Sequence, residues 1–195
     1  MDTLCKLGET NPRVVAITAA MPDSTGVLAF EERFPDRCFD VGIAEQHATT
    51  MAAGLAMAGM VPIFAVYSSF LSRAFDQLNL DVGLHDQHVV FCLDRAGITG
   101  PDGASHHGVY DMALLSKVPG MRVLAPSSAQ ELLQMLDDAV ELADDGPVVI
   151  RYPRGAAVQV DESEVGRGLA ANHVRTGDGS VCIIAIGRML AAARK

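Results

Sequence analysis

The sequence predicts an α/β fold, with a mostly parallel β-sheet and helices on both of its faces. Two observations support it. First, continuous apolar runs with many β-branched residues are typical of strands that are buried on both faces. These runs are residues 14–19, 38–41, 61–67, 88–93, 122–125 and 147–152. Second, helical patterns lie between most of the runs, at residues 44–58, 70–80 and 128–143. Strands that alternate with helices form βα units, which favour a parallel sheet.

The helix predicted at residues 128–143 has the clearest signals. Ser128 can cap its first turn, and Glu131 follows three residues later, as in a capping box. Leucine, methionine and valine side chains then recur at helical spacing and supply one apolar face.

The composition of the chain changes after residue 158. Residues 159–172 are polar and acidic and include two glycines, which is typical of a linker. A further strand is predicted at residues 180–186, after a Gly-Asp-Gly turn. We therefore predict a domain at 1–158, a linker at 159–178 and the start of a second α/β domain at 179–195. The last nine residues read as a strand end followed by a helix start, so we expect that domain to be cut short.

Composition narrows the function classes. Half of the residues are hydrophobic (49%), and 20% are charged, so a sizeable core is expected. The net charge of −9 argues against a nucleic-acid-binding or anionic-membrane surface. No signal peptide is visible, and the most apolar window is too short and too interrupted to span a membrane. The scattered cysteines at positions 5, 38, 92 and 182 favour reduced, packed thiols in a cytoplasmic protein.

Glu45 is the first candidate site residue. It lies in the first turn of the helix predicted at 44–58, directly after the strand at 38–41. A carboxylate there can complement the helix dipole. It can also be aimed into the crevice at the strand ends, where ligands of open α/β sheets bind. Position alone leaves both readings open.

The stretch from Tyr67 to Arg73 follows the third strand. Tyr67, Ser68, Phe70 and Arg73 offer an aromatic face, a hydroxyl and a cation at a strand-to-helix turn. The alternative is a serine that caps the helix, with Phe70 in the core.

Residues 94–108 form a long loop after the fourth strand. It contains four glycines, two carboxylates, one arginine and the adjacent histidines His106 and His107. Loops of this length and content are commonly functional. Adjacent histidines rarely converge on one metal ion, and the carboxylates lack ligand spacing. An acid–base or hydrogen-bonding role is favoured, because imidazole titrates near neutral pH.

Arg151 and Arg154 flank a rigid turn at the end of the last strand. They could clamp a phosphate or carboxylate by bidentate bonds, or they could simply mark a solvated strand exit. Two other patterns are not taken as metal sites: the His-x-x-His of residues 85–88 is interpreted as a helix-terminal loop, and the Gly-Asp-Gly of residues 177–179 as a turn.

Taken together, these motifs resemble the 1-deoxy-D-xylulose-5-phosphate synthase family of transketolase-like thiamine-diphosphate enzymes. The matching segments are residues 41–47, 67–70, 94–97, 101–106 and 151–155. They come in family order and cover nearly the whole chain. The part present resembles the pyrimidine-binding middle domain and the opening of the C-terminal domain. The family's N-terminal domain, which holds Mg²⁺ and the diphosphate, is not matched.

The resemblance implies a cofactor-binding role for three residues. Glu45 would hydrogen-bond the aminopyrimidine ring and act as the cofactor-activating acid, Phe70 would stack on that ring, and Tyr67 would line the same pocket. His106 resembles the family's active-site histidine, a candidate for proton transfer or for binding the acceptor substrate.

The resemblance also implies a phosphate site. Arg95 and Arg154 match positions that bind the phosphate of the acceptor. Asp102 would orient its neighbours in the loop, and Arg73 and Ser68 would support the site. No metal ligand is assigned in this chain, and no role is assigned to His107.

The implied reaction condenses pyruvate, with loss of carbon dioxide, and glyceraldehyde 3-phosphate to 1-deoxy-D-xylulose 5-phosphate, a precursor of isoprenoids, thiamine and pyridoxal. The resemblance suggests a homodimer when intact, and we expect this chain alone to be inactive because the Mg²⁺ ligands are expected in the N-terminal domain. Whether Met1 is a genuine start stays open.

Two alternatives stay open as well. One is another thiamine-diphosphate enzyme, a transketolase or the beta subunit of a 2-oxoacid dehydrogenase, although residues 94–97 and 151–154 favour the synthase. The other is a pyrimidine-domain-like protein that binds a partner without catalysis. The presence of Glu45, Phe70 and His106 argues against it.

Overall fold

A computed structural model describes residues 2–142, 146–167 and 170–195 of the chain. Its six strands form one sheet in the order β2-β1-β3-β4-β6-β5, and every neighbouring pair is parallel. The strands are β1 Val14–Thr18, β2 Cys38–Asp40, β3 Val61–Tyr67, β4 Val90–Asp94, β5 Arg122–Leu124 and β6 Val148–Arg151. Five of the six lie within the apolar runs identified in the sequence, and β4 ends one residue beyond its run, so the predicted parallel α/β sheet is confirmed.

Helices cover both faces of the sheet, as predicted. The α-helices are α1 Asp2–Thr10, α2 Leu28–Arg33, α3 Glu45–Met57, α4 Ser68–Leu71, α5 Phe75–Gln77, α6 Asp111–Leu115, α7 Ala129–Glu141 and α8 Met189–Ala193. One apolar layer joins the sheet to α3, α4 and α6, and the other joins it to α1, α2 and α7. The central strands are buried on both faces for this reason, which explains their continuous apolar sequence. No helix in the described ranges is long and apolar enough to cross a membrane.

The helix predicted at residues 70–80 forms with a changing pitch. The α-helical turns α4 and α5 are separated by a 3₁₀ turn at Ser72–Ala74, and a π-helical turn follows at Leu78–Gly83. Leu71, Leu78 and Val82 still face the core. Changes of pitch within a helix are frequent at functional sites, and Arg73 lies in the 3₁₀ turn.

Helix α7 begins as the sequence predicts. Ser128 Oγ accepts a hydrogen bond from the backbone N–H of Glu131 at 3.1 Å. The Glu131 carboxylate reaches back to Ser127, one residue earlier than in a standard capping box. The predicted end at residue 143 lies outside the described residues. Helices α1, α2 and α6 were not predicted, and α2 and α6 are too short to show a clear helical period.

The strand predicted at residues 180–186 is wrong. These residues form no strand, and the side chains of Val181, Ile183, Ile184 and Ile186 are 68–87% exposed. A strand needs a neighbour for its backbone hydrogen bonds, and the described chain places none beside this segment. The helix start predicted after it does form, as α8. The division into domains at residue 158 stays a prediction.

The four cysteines are free thiols. Cys92 is buried in β4, and burial raises the pKa of its thiol to about 12. Cys182 is exposed in the segment that forms no strand, so the expectation of packed thiols is wrong at this position.

Candidate active site

The candidate site lies at the carboxyl ends of the parallel strands. Strand β3 ends at Tyr67 directly beside Asp94, the last residue of β4. Helix α3 begins near the same edge, because it follows β2 and leads back to β3 on the other side of β1. The strand order reverses here, since β2 and β3 lie on opposite sides of β1. In open α/β sheets, ligands bind in the crevice at such a reversal.

Glu45 lies at the start of α3 and is 3% exposed. The turn before it is fixed by Asp40, whose Oδ1 accepts hydrogen bonds from the backbone N–H groups of Ala20 and Gly42. The N-cap residue, Ala44, makes no side-chain cap bond. The Glu45 carboxylate instead accepts a hydrogen bond from Arg73 Nη1, at 2.5 Å from Oε1. It therefore points away from its own helix end and into the site.

Three rings form what we call the aromatic platform: Tyr67, Phe70 and His106. The rings of Tyr67 and Phe70 are stacked, with centroids 5.3 Å apart. The His106 ring meets Phe70 edge-on at 5.3 Å and Tyr67 at 6.4 Å. Its Nδ1 lies 3.0 Å from Ser105 Oγ. The two residues that the resemblance assigns to one pocket, Tyr67 and Phe70, are thus in contact, and His106 lies against them.

Two arginines and two aspartates form what we call the arginine cluster. Asp102 Oδ2 lies 3.2 Å from Arg95 Nε and 3.0 Å from Arg154 Nε, so one carboxylate holds both guanidinium groups. Asp94 Oδ2 accepts a further bond from Arg95 Nη1 at 2.7 Å. Burial raises the pKa of Asp94, and the charge of Arg95 offsets part of that rise. The side chains predicted to bind phosphate are therefore adjacent.

Arg95 joins the arginine cluster to the aromatic platform. Its guanidinium lies 3.9 Å from the centroid of the Tyr67 ring. Its backbone has φ = +61°, which is uncommon outside glycine and is found preferentially at functional positions. The Asp94 side chain also accepts a bond from the Arg95 backbone N–H at 2.6 Å, which stabilises this conformation.

The loop between Arg95 and Gly108 is closed at its base. Gly97 and Gly108 exchange two backbone hydrogen bonds of 2.8 and 2.9 Å. Gly108 packs directly on Ser68, and a Cβ at this position would lie 2.4 Å from Ser68 Oγ. Ser68 is buried, and its hydroxyl has no hydrogen-bond partner among the described residues. Its position supports the loop geometry and hence His106.

His107, to which no role was assigned from sequence, stabilises the same loop. Its Nδ1 accepts a hydrogen bond from the backbone N–H of Thr99 at 3.2 Å and lies 2.9 Å from Thr99 Oγ1. Since Nδ1 is the acceptor, the proton of the neutral ring resides on Nε2.

Arg151 does not join Arg154, so the alternative of a clamp formed by these two arginines is wrong. Arg151 makes a bidentate pair with Asp111, with Nε–Oδ2 at 2.7 Å and Nη2–Oδ1 at 3.2 Å. Asp111 is 5% exposed, so this pair anchors α6 to the sheet. Sequence reasoning missed the roles of Asp94 and Asp111. Asp94 had a detectable signal, as the last residue of a buried strand, whereas Asp111 had none.

The His-x-x-His pattern lies in the loop that follows the π-helical turn, as predicted, and the Gly-Asp-Gly pattern leads into a bend at residues 179–180. His88 is buried, with Nδ1 3.1 Å from the Gly146 carbonyl, and His85 is exposed. Asp178 accepts hydrogen bonds from the backbone and hydroxyl of Ser180. Within the described ranges, no group of three or more histidine, cysteine, aspartate or glutamate side chains is arranged to hold a metal ion.

Residues 1–159 match the family model described as "Transketolase, pyrimidine binding domain". Among curated proteins, the chain is 53% identical over 192 residues to 1-deoxy-D-xylulose-5-phosphate synthase of Corynebacterium glutamicum (strain R), covering 95% of this chain and 30% of that protein. It is 58% identical over 154 residues to the synthase of Mycolicibacterium gilvum (strain PYR-GCK), covering 79% of this chain and 24% of that protein. The chain thus spans less than a third of the length of these relatives.

Solved structures show the same fold. A split-gene transketolase, described as an inactive beta4 tetramer, superimposes with a TM-score of 0.71 at 32% identity, over 84% of this chain and 53% of that chain. A transketolase from Leishmania mexicana superimposes with a TM-score of 0.71 at 21% identity, over 80% of this chain and 25% of that chain.

Proposed function

Because this chain belongs to the family of transketolase pyrimidine-binding domains, we propose that it supplies the pyrimidine half of a 1-deoxy-D-xylulose-5-phosphate synthase active site. The intact enzyme would condense pyruvate, with loss of carbon dioxide, and glyceraldehyde 3-phosphate. One observation carries the proposal: a buried carboxylate, Glu45, lies beside an aromatic platform at the carboxyl ends of parallel strands.

The residues present fit the pyrimidine of thiamine diphosphate. A planar ring with N–H donors needs an aromatic face and a buried hydrogen-bond acceptor, and Phe70 and Glu45 supply them. A planar cation, the guanidinium of Arg73, already makes both kinds of contact there. When bound, thiamine diphosphate supplies the carbanion chemistry for decarboxylation and carbon–carbon bond formation. Glu45 would share a proton with a ring nitrogen of the pyrimidine and orient the ring.

His106 is the proposed acid–base residue for the acceptor. Its imidazole lies against Phe70, so it borders the space above the pyrimidine. Imidazole can donate or accept a proton near neutral pH. Tyr67 would line the pocket and hold both Phe70 and Arg95 in place.

Arg95 and Arg154 are the proposed ligands of the acceptor's phosphate. Guanidinium groups bind phosphate oxygens by paired hydrogen bonds, and these two already converge on one anionic group, Asp102. The net charge of −9 makes such a local cluster necessary, because the overall field does not attract anions.

The diphosphate and its Mg²⁺ would be held by a separate domain, in the same polypeptide or in a partner chain. We expect a homodimer in the intact cytoplasmic enzyme. A solved relative, the split-gene transketolase described as an inactive beta4 tetramer, supports the expectation that a chain of this kind is inactive alone.

The relatives favour the synthase over the other thiamine-diphosphate enzymes. Curated synthases are 50–58% identical to this chain, whereas the transketolase structures from Leishmania mexicana and Pichia stipitis are 18–21% identical and show the fold alone. A non-catalytic binding protein would have no need of Glu45, His106 and two converging arginines in one crevice.

Two assays test the proposal. The purified chain, supplied with thiamine diphosphate, Mg²⁺, pyruvate and glyceraldehyde 3-phosphate, is expected to give no turnover. The intact enzyme, meaning this chain together with its diphosphate-binding domain, is expected to form 1-deoxy-D-xylulose 5-phosphate. Turnover by the chain alone, or a cofactor-loaded intact enzyme without product, would contradict the proposal.

A further inference from the structure

Arg73 makes two contacts with its guanidinium group. Nη1 lies 2.5 Å from Glu45 Oε1, and the guanidinium carbon lies 4.9 Å from the centroid of the Phe70 ring. The Glu45 side chain is 3% exposed, whereas that of Arg73 is 51% exposed. One end of the ion pair is therefore fixed in the interior and the other is accessible from solvent.

These two contacts are the same two that the proposed function assigns to the pyrimidine. A guanidinium group is planar and delocalised, stacks on aromatic faces and donates N–H groups to carboxylates. A protonated aminopyrimidine has the same properties. Arg73 therefore reproduces, with a side chain of the chain itself, the contacts of a planar N–H-donating ring.

We propose that Arg73 competes with the cofactor's pyrimidine for Glu45 and Phe70, and that it must leave the Glu45 carboxylate for the ring to bind. This inference rests on the proposed function. Arg73 would act as an intramolecular competitor of the pyrimidine and so set the apparent affinity for the cofactor.

The surroundings of Arg73 allow both its presence and its departure. A buried carboxylate without a partner is costly, so Glu45 needs a cation or N–H donor whenever no ligand supplies one. Among the residues that the structure describes, Glu45 is the sole ion-pair partner of Arg73. Arg73 also lies in a short 3₁₀ turn, and its half-exposed side chain can rotate into water without disturbing the core.

Competition of this kind has a defined effect on affinity. If the cofactor binds only chains in which Arg73 has left Glu45, the apparent dissociation constant is the intrinsic one divided by the fraction of such chains. Removing the guanidinium raises that fraction. The variant Arg73→Met, which keeps the length of the side chain, is therefore expected to bind the cofactor about three- to tenfold more tightly.

The experiment is titration calorimetry of the intact enzyme with thiamine diphosphate at a fixed Mg²⁺ concentration. The matched control is Arg33→Met. Arg33 also pairs with a glutamate, Glu9, and lies over an aromatic ring, with its guanidinium carbon 5.8 Å from the centroid of Phe34. It belongs to α2, on the opposite face of the sheet from α4, so its removal is expected to leave the dissociation constant unchanged.

A second ligand and a second variant sharpen the result. The isolated pyrimidine, 4-amino-5-hydroxymethyl-2-methylpyrimidine, lacks the thiazolium charge, so a tighter complex with Arg73→Met would report competition rather than relief of charge repulsion. Arg73→Lys keeps a cation for Glu45 but loses the planar group on Phe70. It is expected to lie between wild type and Arg73→Met, and it serves as the test if Arg73→Met does not fold.

The outcomes separate the two proposals. If the wild-type enzyme binds the cofactor and the folded Arg73 variants bind it equally or more weakly, the proposed competition is wrong. The proposed function is then unaffected. Failure of the intact wild-type enzyme to bind thiamine diphosphate overturns the proposed function itself.

Discussion

Two helices of equal length, α3 and α7, each begin with a buried glutamate whose surroundings differ. Each helix has 13 residues. Glu131 of α7 is 8% exposed, and Glu45 of α3 is 3% exposed. Glu131 Oε2 accepts bonds from the backbone N–H of Ser127 at 2.6 Å and from its hydroxyl at 2.8 Å. The partner of Glu45 is Arg73, 28 residues away in the sequence.

This difference distinguishes a structural carboxylate, Glu131, from the one for which we propose a functional role, Glu45. Glu131 satisfies unpaired groups at the start of its own helix, so the preference for acidic residues in a first turn explains it completely. Glu45 bonds to no N–H group of its own helix, although it occupies the same kind of position. Both side chains are buried, so burial does not separate them. The informative quantity is the distance along the sequence to the group that the carboxylate binds.

The largest effect is expected from Glu45→Gln, tested in the intact enzyme. The amide keeps the size of the side chain but cannot share a proton with the pyrimidine as a carboxylic acid does. Acid–base groups of this kind contribute about 10²- to 10⁴-fold to rate, so we expect kcat to fall by at least about a hundredfold. Steady-state formation of 1-deoxy-D-xylulose 5-phosphate measures it.

The free energy of unfolding of the chain provides the control for this variant. It is expected to change little in Glu45→Gln, because Arg73 can still donate to the amide oxygen. A large loss of stability with unchanged kcat would make Glu45 a structural residue like Glu131, and the comparison of the two glutamates would fail.

The next largest effect is expected from Glu131→Ala, which should lower the free energy of unfolding. Truncation leaves the backbone N–H and the hydroxyl of Ser127 without their acceptor in a partly buried position. A lost acceptor of this kind costs about 1–3 kcal/mol of unfolding free energy, which urea titration of the chain can measure. The activity of folded intact enzyme is expected to be unchanged. Glu131→Gln, whose amide oxygen can still accept from Ser127, should recover part of the loss, and its failure to do so would exclude the hydrogen bonds as the cause.

The sheet was predictable from sequence because strands that are buried on both faces have continuous apolar sequences. The six strands of the sheet were all predicted, since helices on both sides of the sheet require those runs. The segment at residues 180–186 has the same composition but no neighbouring strand among the described residues. The local sequence indicates only a preference for extended backbone. Whether a strand forms depends also on a neighbouring strand with which the segment can pair.

The members of the candidate site were predictable, but their partners were not. Arg151 and Arg154 are three positions apart, yet Arg151 pairs with Asp111 and Arg154 shares Asp102 with Arg95. These pairings depend on which loops meet at the ends of β4 and β6, which is a property of the tertiary structure. The ion pair between Glu45 and Arg73 was hidden for the same reason.

Asp94 is a third carboxylate for this comparison, and it is partly buried and paired with Arg95. Its substitution is expected to have the smallest of these effects. Burial raises the pKa of Asp94 above its ordinary value of 3.8, and Arg95 opposes that rise. The folded chain therefore holds a proton that the unfolded chain releases, so the contribution to stability is greatest below the unfolded pKa and is lost as pH rises through the folded pKa. Urea titrations between about pH 3.5 and pH 7 should show this loss in wild type and not in Asp94→Asn.

Asp178 supplies the opposite case as a control. Hydrogen bonds from Ser180 lower the pKa of the exposed Asp178 side chain, so its contribution to stability is present above the unfolded pKa and is lost as pH falls through the folded pKa. The Asp178→Asn substitution should therefore change the pH dependence with the opposite sign to that of Asp94→Asn. The same sign in both variants would mean that burial and hydrogen-bond partners do not determine how the carboxylates of Asp94 and Asp178 contribute to stability.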